Sequence, residues 1–401
     1  MVTETNGVEG QAVSNGSGWI EQAIDAEEAF RLTADLVRIR SYPGEEAAVQ
    51  RAVAEWLTAQ GMAAELPEAA PGRPNVVLRL ENGSGPTLLL NGHTDTVLVD
   101  PAWEHDPWVG RREGDRFFGL GAGDMKCGMA AQMLATRALD RHRDAWRGTV
   151  VFTSVVDEEA YSVGAHAVIA GLAVDGVRPD FCVVTESAWE RPCLGAQGKL
   201  LIRVDVRGKA AHASFAHEGV NAAVEAARLV ARLDELAGRF PTHPHLRASQ
   251  AVLSSLSGGG PYVITIPEAA TVLINRHTVP GETEASVLAA YRALADSLGS
   301  AATFAFSVDP PFYPPWETDP VAPIAVAFAN AYRTETGRDP EYGYWGFGDP
   351  NLFSTTAGIP TVMFGPHAGR YHQAGEWVDI PSIAAAARTL LRMTVDLLAV
   401  G

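Results

Sequence analysis

Apolar residues follow two patterns along the chain, and the change between them falls near Lys199. From about Glu21 to Gly195, short apolar runs alternate with stretches of helical spacing. Val76–Leu80, Thr87–Leu90, Thr149–Val156 and Phe181–Thr185 have the length and content of buried strands. Stretches such as Met129–Leu139 read as helices between them. This alternation predicts an α/β fold, a mostly parallel sheet flanked by helices. Beyond Lys199, Leu201–Arg207 alternates strictly, with Ile202, Val204 and Val206 on one face and Arg203, Asp205 and Arg207 on the other. That is the pattern of a sheet covered on one side only. A helical segment follows from Asn221, with Leu229, Leu233 and Leu236 on one side. Strand-like runs Tyr262–Ile266 and Ala270–Ile274 precede a helix near Glu284–Leu298.

These patterns predict a larger domain built from residues 19–196 and 309–401, interrupted by a smaller α/β unit over 197–308 with a one-sided sheet and two helices. The Pro-rich passage Asp309–Trp316 reads as the connection back. After it come a helix, the apolar run Ile359–Phe364 and a terminal helix in which Ile383, Leu390 and Leu397 recur at seven-residue steps. Residues 1–18 are polar and Gly/Ser-rich, and are expected to form a disordered tail.

Composition narrows the class of partner. The 401 residues are 47% hydrophobic and 20% charged, which is ordinary for a soluble protein with core enough for two domains. The formal net charge of -17, with no Lys/Arg-rich run, argues against nucleic acid or an anionic membrane surface. The best candidate for a membrane span, Ile383–Val400, is broken by Arg388, Arg392 and Asp396. The first residues lack the basic and apolar regions of a signal peptide. The three cysteines, Cys127, Cys182 and Cys193, form no CxxC pair, which argues against a disulfide framework and fits a cytoplasmic location.

The chemistry lies where the apolar runs end. Thr87–Leu90 leads into Asn91-Gly92-His93-Thr94-Asp95, Thr149–Val156 into Asp157-Glu158-Glu159, and Phe181–Thr185 into Glu186. Ile359–Phe364 is followed by a loop that reaches His372, and Gly119–Lys126 places Asp124 at the entry to a helix. In an open α/β sheet the carboxyl ends of the strands share one edge, so these segments converge there. Each has an ordinary reading of its own: a hydrogen-bonded histidine, an N-cap, a solvated helix start. Their coincidence at one edge points to a metal site. Two imidazoles with several carboxylates suit Zn²⁺, and also Co²⁺ or Mn²⁺. The H-x-D spacing would let Asp95 accept the second ring N–H of His93.

The motifs also carry a family resemblance, from about residue 25 to the C-terminus. They are Leu90–Val97, Gly121-Ala122-Gly123-Asp124-Met125-Lys126, Asp157-Glu158-Glu159, Gly208-Lys209-Ala210-Ala211-His212, Gly219-Val220-Asn221-Ala222, and His372 followed by Glu376-Trp377-Val378. In this order and spacing the chain resembles the dinuclear metallo-amidohydrolases that include acetylornithine deacetylase, succinyl-diaminopimelate desuccinylase, aminoacylase and glutamate carboxypeptidase. The resemblance implies two divalent metal ions, zinc first. It makes His93 and Glu186 ligands of one metal, Glu159 and His372 ligands of the other, and Asp124 the bridge between them. Asp95 becomes the acid that orients His93, and Glu158 the general base acting on a metal-activated water.

The same resemblance implies that His212 reaches the active site of a partner subunit, in a homodimer formed through the inserted unit. It also implies that Arg276 holds the substrate carboxylate. The substrate would be an N-acyl amino acid or, alternatively, a dipeptide or carboxypeptidase substrate. Departures from the family pattern are Cys127 in place of glycine, Thr185 and Ser187 flanking Glu186, and Asn275 before the arginine. None removes a ligand; the last two bear on substrate preference. A silent binding protein on this scaffold would be expected to lack Glu158 or a ligand. The chain has no Gly-x-Ser-x-Gly elbow, which excludes the commonest serine hydrolase on such a sheet.

Overall fold

Strand registers explain why the distant acids and histidines meet. The computed structural model describes residues 18–399 apart from Pro261 and Trp345. The expected disordered tail therefore lies outside the described residues, except for Gly18, which opens a short helix, Gly18–Ala23. The principal strands are β1 (Val76–Asn82), β2 (Thr87–His93), β3 (Gly148–Val155), β4 (Phe181–Val184), β5 (Gly198–Arg207), β6 (Gln250–Gly258), β7 (Ala269–Thr278), β8 (Thr303–Tyr313) and β9 (Thr361–Met363). The principal helices are α1 (Ala26–Val37), α2 (Ala47–Ala59), α3 (Cys127–Arg141), α4 (Val163–Val174), α5 (Ala222–Val230), α6 (Glu284–Asp296), α7 (Pro323–Thr336) and α8 (Ile380–Leu397).

The larger sheet has the order β9-β4-β2-β3-β1, and β1 alone in it runs antiparallel. Leu90 lies level with Phe152 on one side and Val183 on the other, so the carboxyl ends of β2, β3 and β4 come out at one edge. Successive side chains point to opposite faces. Leu88 and Leu90 join the core with α1, α3, α7 and α8, whereas Leu89 joins a second cluster with Val168 and Leu172 of α4. Both faces are covered, which is why these strands read as continuous apolar runs.

The smaller sheet has the order β6-β7-β5-β8 and is antiparallel throughout. Ile202 pairs with Ile274, and this face meets Leu229 of α5 and Leu288 and Tyr291 of α6 in a core of its own. Both helices are capped as their sequences suggest. Asn221 accepts the N–H groups of Ala223 and Val224, and Thr283 accepts that of Ser286.

Two expectations change here. Tyr262–Ile266 is not a strand; apart from a bridge between Thr265 and His212 it is turn, and Tyr262, Val263 and Ile264 are exposed. The fourth strand is β6, an edge strand exposed over almost its whole length, so it lacks the alternating burial that betrays a strand in sequence. The Pro-rich connection also begins inside a strand. β8 continues past residue 308 to Tyr313, its pairing stepping from Leu201–Asp309 to Lys199–Tyr313. Pro310 and Pro311 are tolerated because β8 is an edge strand, where a missing N–H costs no ladder bond. Among the described residues, no helix is long and apolar enough to cross a membrane.

Candidate metal centre

His93 is the last residue of β2, and its ring meets two acids from elsewhere in the chain. Its Nε2 lies 3.2 Å from Asp124 Oδ1 and 3.1 Å from Glu186 Oε1. Its Nδ1–H faces the backbone carbonyl of Asp95 at 3.1 Å, with the Asp95 carboxylate at 3.4 Å. Across the site, His372 Nε2 lies 3.2 Å from Asp124 Oδ2 and 3.1 Å from Glu159 Oε2. The donors therefore fall into two groups, His93 with Asp124 and Glu186, and Asp124 with Glu159 and His372. Within each, the donor atoms lie within 4.8 Å of one another. Asp124 is common to both. Glu158 is in neither group, yet its carboxylate is 3.8 Å from His93 Nε2.

Local structure aims each of these groups. Asp124 sits in the irregular turn that enters α3, and that turn is held from the far end of the chain. The Glu376 carboxylate accepts the N–H groups of Gly121 at 3.2 Å, Gly123 at 2.7 Å and Asp124 at 2.9 Å. A side chain on Gly128, in the first turn of α3, would collide with the Thr185 carbonyl beside Glu186, so the helix can approach that loop only through a glycine. After β3 the chain turns sharply at Asp157, whose φ is 71°. The Asp95 carboxylate accepts the N–H groups of Glu158 at 3.3 Å and Glu159 at 3.0 Å, tying this turn to the end of β2. Arg73 holds the turn from behind, bonded to Asp157 at 2.6 Å and to the buried Glu46 at 3.0 Å. Asp95 thus fixes the position of two acidic neighbours as well as bordering the His93 ring.

The electrostatics describe a site with too much negative charge. Burial pushes the Glu158 carboxyl well above its ordinary range, and pushes Glu186 up to about 7. Glu159 is raised by burial and by Asp124. Burial would raise Asp124 as well, but hydrogen bonds to His372 and His93 hold it below the usual carboxylate range. His372 is driven up to about 11 by Asp124 and Glu159. Among the described residues, the buried Glu159 Oε1 has no hydrogen-bond partner. Clustered acids, two imidazoles and an orphaned carboxylate oxygen are the donor set that divalent cations satisfy, so the residues fit such ions.

A cavity of about 340 Å³ opens over these groups, lined by Glu158, Glu159, Lys199, Tyr313, Phe347 and Met363 among others. His212 does not reach it within the chain: it is exposed on the inserted unit, its Nδ1 accepting the Ser214 N–H at 3.2 Å. Arg276, expected to hold the substrate carboxylate, does not line this cavity either. It alternates in phase with Val272 and Ile274, so it points into the helix-covered face of the smaller sheet. There it pairs with Glu282, and its guanidinium lies 3.8 Å from the Phe240 ring centroid. Sequence reasoning missed two buried acids. Glu376 appeared only as part of a motif. Asp349, which accepts from Asn91 at 2.9 Å and is raised by burial to about 6, opens a short helix in a Gly-Asp-Pro segment that carries no distinguishing pattern.

A mixed sheet with candidate metal ligands gathered at the carboxyl ends of its strands, and one acid shared between two donor groups, accords with a metal-dependent amidohydrolase. The chain belongs to the peptidase family M20/M25/M40, whose family model matches residues 89–396. Among curated proteins it is similar to the succinyl-diaminopimelate desuccinylase of Methylobacterium radiotolerans, 31% identical over 369 residues, covering 88% of this chain and 93% of the relative. The desuccinylase of Cereibacter sphaeroides is 29% identical over 381 residues, covering 91% and 97%. Among solved structures it resembles aminopeptidase PepT from Bacillus cereus, with a TM-score of 0.73 and 21% identity over 94% of this chain and 99% of that one. Human carnosine dipeptidase 1 matches with a TM-score of 0.66 and 15% identity, over 96% and 98%.

Proposed function

We propose that the chain hydrolyses the amide bond of an N-acyl amino acid, in the manner of a deacetylase or desuccinylase, with two zinc ions held in a shared site. The observation that carries this reading is the Asp124 carboxylate, with one oxygen 3.2 Å from His93 Nε2 and the other 3.2 Å from His372 Nε2. His93, Asp124 and Glu186 would hold one ion, and Asp124, Glu159 and His372 the other. Bound there, the pair supplies acidification of a water and polarisation of the amide carbonyl.

Glu158 then acts as the general base. It is part of neither ligand group, yet its carboxylate lies 3.8 Å from His93 Nε2 and lines the same cavity, and its burial favours accepting a proton. It takes the proton from the attacking water and returns it to the leaving nitrogen. Asp95 positions Glu158 through its backbone N–H and keeps the His93 ring turned to the site. The names of the curated relatives support cleavage of an acyl amide next to a carboxylate.

The inserted unit, 197–308, acts in this reading as a lid and dimerisation domain. Exposed Val252, Leu253 and Leu256 on its open edge strand support a homodimer with a second copy of this chain. His212 would then serve the neighbouring site. The absence of any CxxC pair among the three buried cysteines accords with a cytoplasmic setting.

The test is hydrolysis of N-acetyl, N-succinyl and N-formyl amino acids beside simple dipeptides by zinc-reconstituted protein, with Glu158→Gln as control. Turnover of an N-acyl class that falls by about 10²–10⁴ in the control is expected. Turnover of dipeptides alone would make the protein a dipeptidase with the same centre. Absence of bound metal would end the proposal.

A further inference from the structure

Lys199 is the first side chain of β5 on the face turned away from the inserted unit's core, and it alone among the described cavity-lining residues is a lysine or arginine. Its surroundings are aromatic. Nζ lies 4.7 Å from the Phe347 ring centroid, and Tyr313, its partner across the β5–β8 ladder, packs 5.8 Å from the same ring. Among the described residues, Nζ has no carboxylate partner, although the same cavity holds Asp124, Glu158, Glu159 and Glu186. A half-buried ammonium resting on one aromatic face, with its other side open to a cavity, is an incomplete ion pair.

We propose that Lys199 is the specificity-determining residue that binds the substrate's carboxylate, and that the substrate carries one carboxylate beside an apolar group seated on Phe347, Tyr313 and Met363. The proposal rests on the amidohydrolase reading above. Arg276 lies on the opposite face of the smaller sheet and does not line the cavity, whereas Lys199 does. Burial lowers the pKa of the Lys199 ammonium, the cost that an incoming carboxylate would relieve. The wall also offers Pro311, Tyr313, Trp316, Pro350 and Met363, which suit a hydrocarbon or aromatic group, and among the described lining residues there is no second lysine or arginine to meet another carboxylate.

The experiment compares N-acetyl-L-phenylalanine with its carboxamide, N-acetyl-L-phenylalaninamide, by calorimetry on the full zinc-loaded chain in a Glu158→Gln background. The acid is expected to bind more tightly than the carboxamide. Lys199→Ala should weaken the acid by about 10- to 100-fold, the size of a hydrogen bond to a charged group, and leave the carboxamide nearly unchanged. Lys199→Arg should restore most of the difference. N-succinyl-L-phenylalanine, with a second carboxylate, should gain nothing over the N-acetyl compound. Equal affinity for acid and carboxamide, equal weakening of both by Lys199→Ala, or no measurable binding of the acid would overturn the assignment. Failure of the wild-type protein to hydrolyse any acyl compound would count against the enzymatic reading, while the binding comparison would still decide the role of Lys199.

Discussion

Glu158, proposed above as the general base, is held against a glycine, and this fixes where its carboxylate can point. A Cβ built on Gly348 would collide with Glu158 Oε1, so even a methyl group there must push the carboxylate aside. The φ of Gly348 is 167°, ordinary extended backbone, so the requirement is for space and not for conformation. Gly348→Ala is therefore expected to lower kcat by about 10²-fold, towards the loss of a general base, while the protein still binds its full complement of metal. Kinetics together with metal analysis of the purified variant check this; an unchanged kcat would remove Glu158 from the reaction. At this scale the sequence was informative about which acids and histidines meet, because most of them follow strands whose carboxyl ends share one sheet edge. It was uninformative about Lys199 and Asp349, whose neighbours come from distant segments. The placement of Arg276 was legible in the register, since Ala270, Val272, Ile274 and Arg276 alternate onto one buried face.

At the scale of elements, Glu376 joins the chain leading into α8 to the turn before α3. It lies some 250 residues from the N–H groups it accepts, as the separations of 255, 253 and 252 residues show. Removing the carboxylate in Glu376→Ala leaves those donors without their acceptor beside the shared Asp124. The loss of such a supporting contact typically weakens metal affinity by about 10–100-fold. The destabilisation should be on the order of 3 kcal/mol, since three hydrogen bonds of about 1 kcal/mol each are lost. Glu376→Gln keeps one amide oxygen and should fall between. Zinc titration and thermal melting measure both effects, and an unaltered affinity in the alanine variant would show that the turn holds Asp124 unaided. Elements with one buried face or two were readable from periodicity. The strand β6 was not, because Ser255, Ser257 and its exposed apolar neighbours repeat on no consistent buried side. The apolar run Tyr262–Ile266 was mistaken for a strand for the complementary reason: the hydrophobicity of Tyr262, Val263 and Ile264 faces outward.

That outward hydrophobicity belongs to the whole molecule. β6 is an open edge carrying Val252, Leu253 and Leu256, and Val224 of α5, Phe215, Tyr262, Val263 and Ile264 are exposed on the same unit. Long apolar edge strands are normally covered, and a second copy of the chain would cover this one. His212 lies in the same region, bridged to Thr265, exposed and absent from the cavity of its own chain. If it completes the neighbouring site, His212→Ala and Glu158→Ala proteins should each be nearly inactive, yet complement one another when mixed. After subunit exchange at equal amounts, half of the dimers are mixed. In each of these, one site has an intact Glu158 together with the partner copy's intact His212, so about a quarter of wild-type activity should return. Sedimentation would establish the dimer, and exchange would be followed by the rise in rate. A dimer whose mixed form stays inactive would confine His212 to its own chain, whereas a monomer active without it would remove both the interface and the histidine from catalysis.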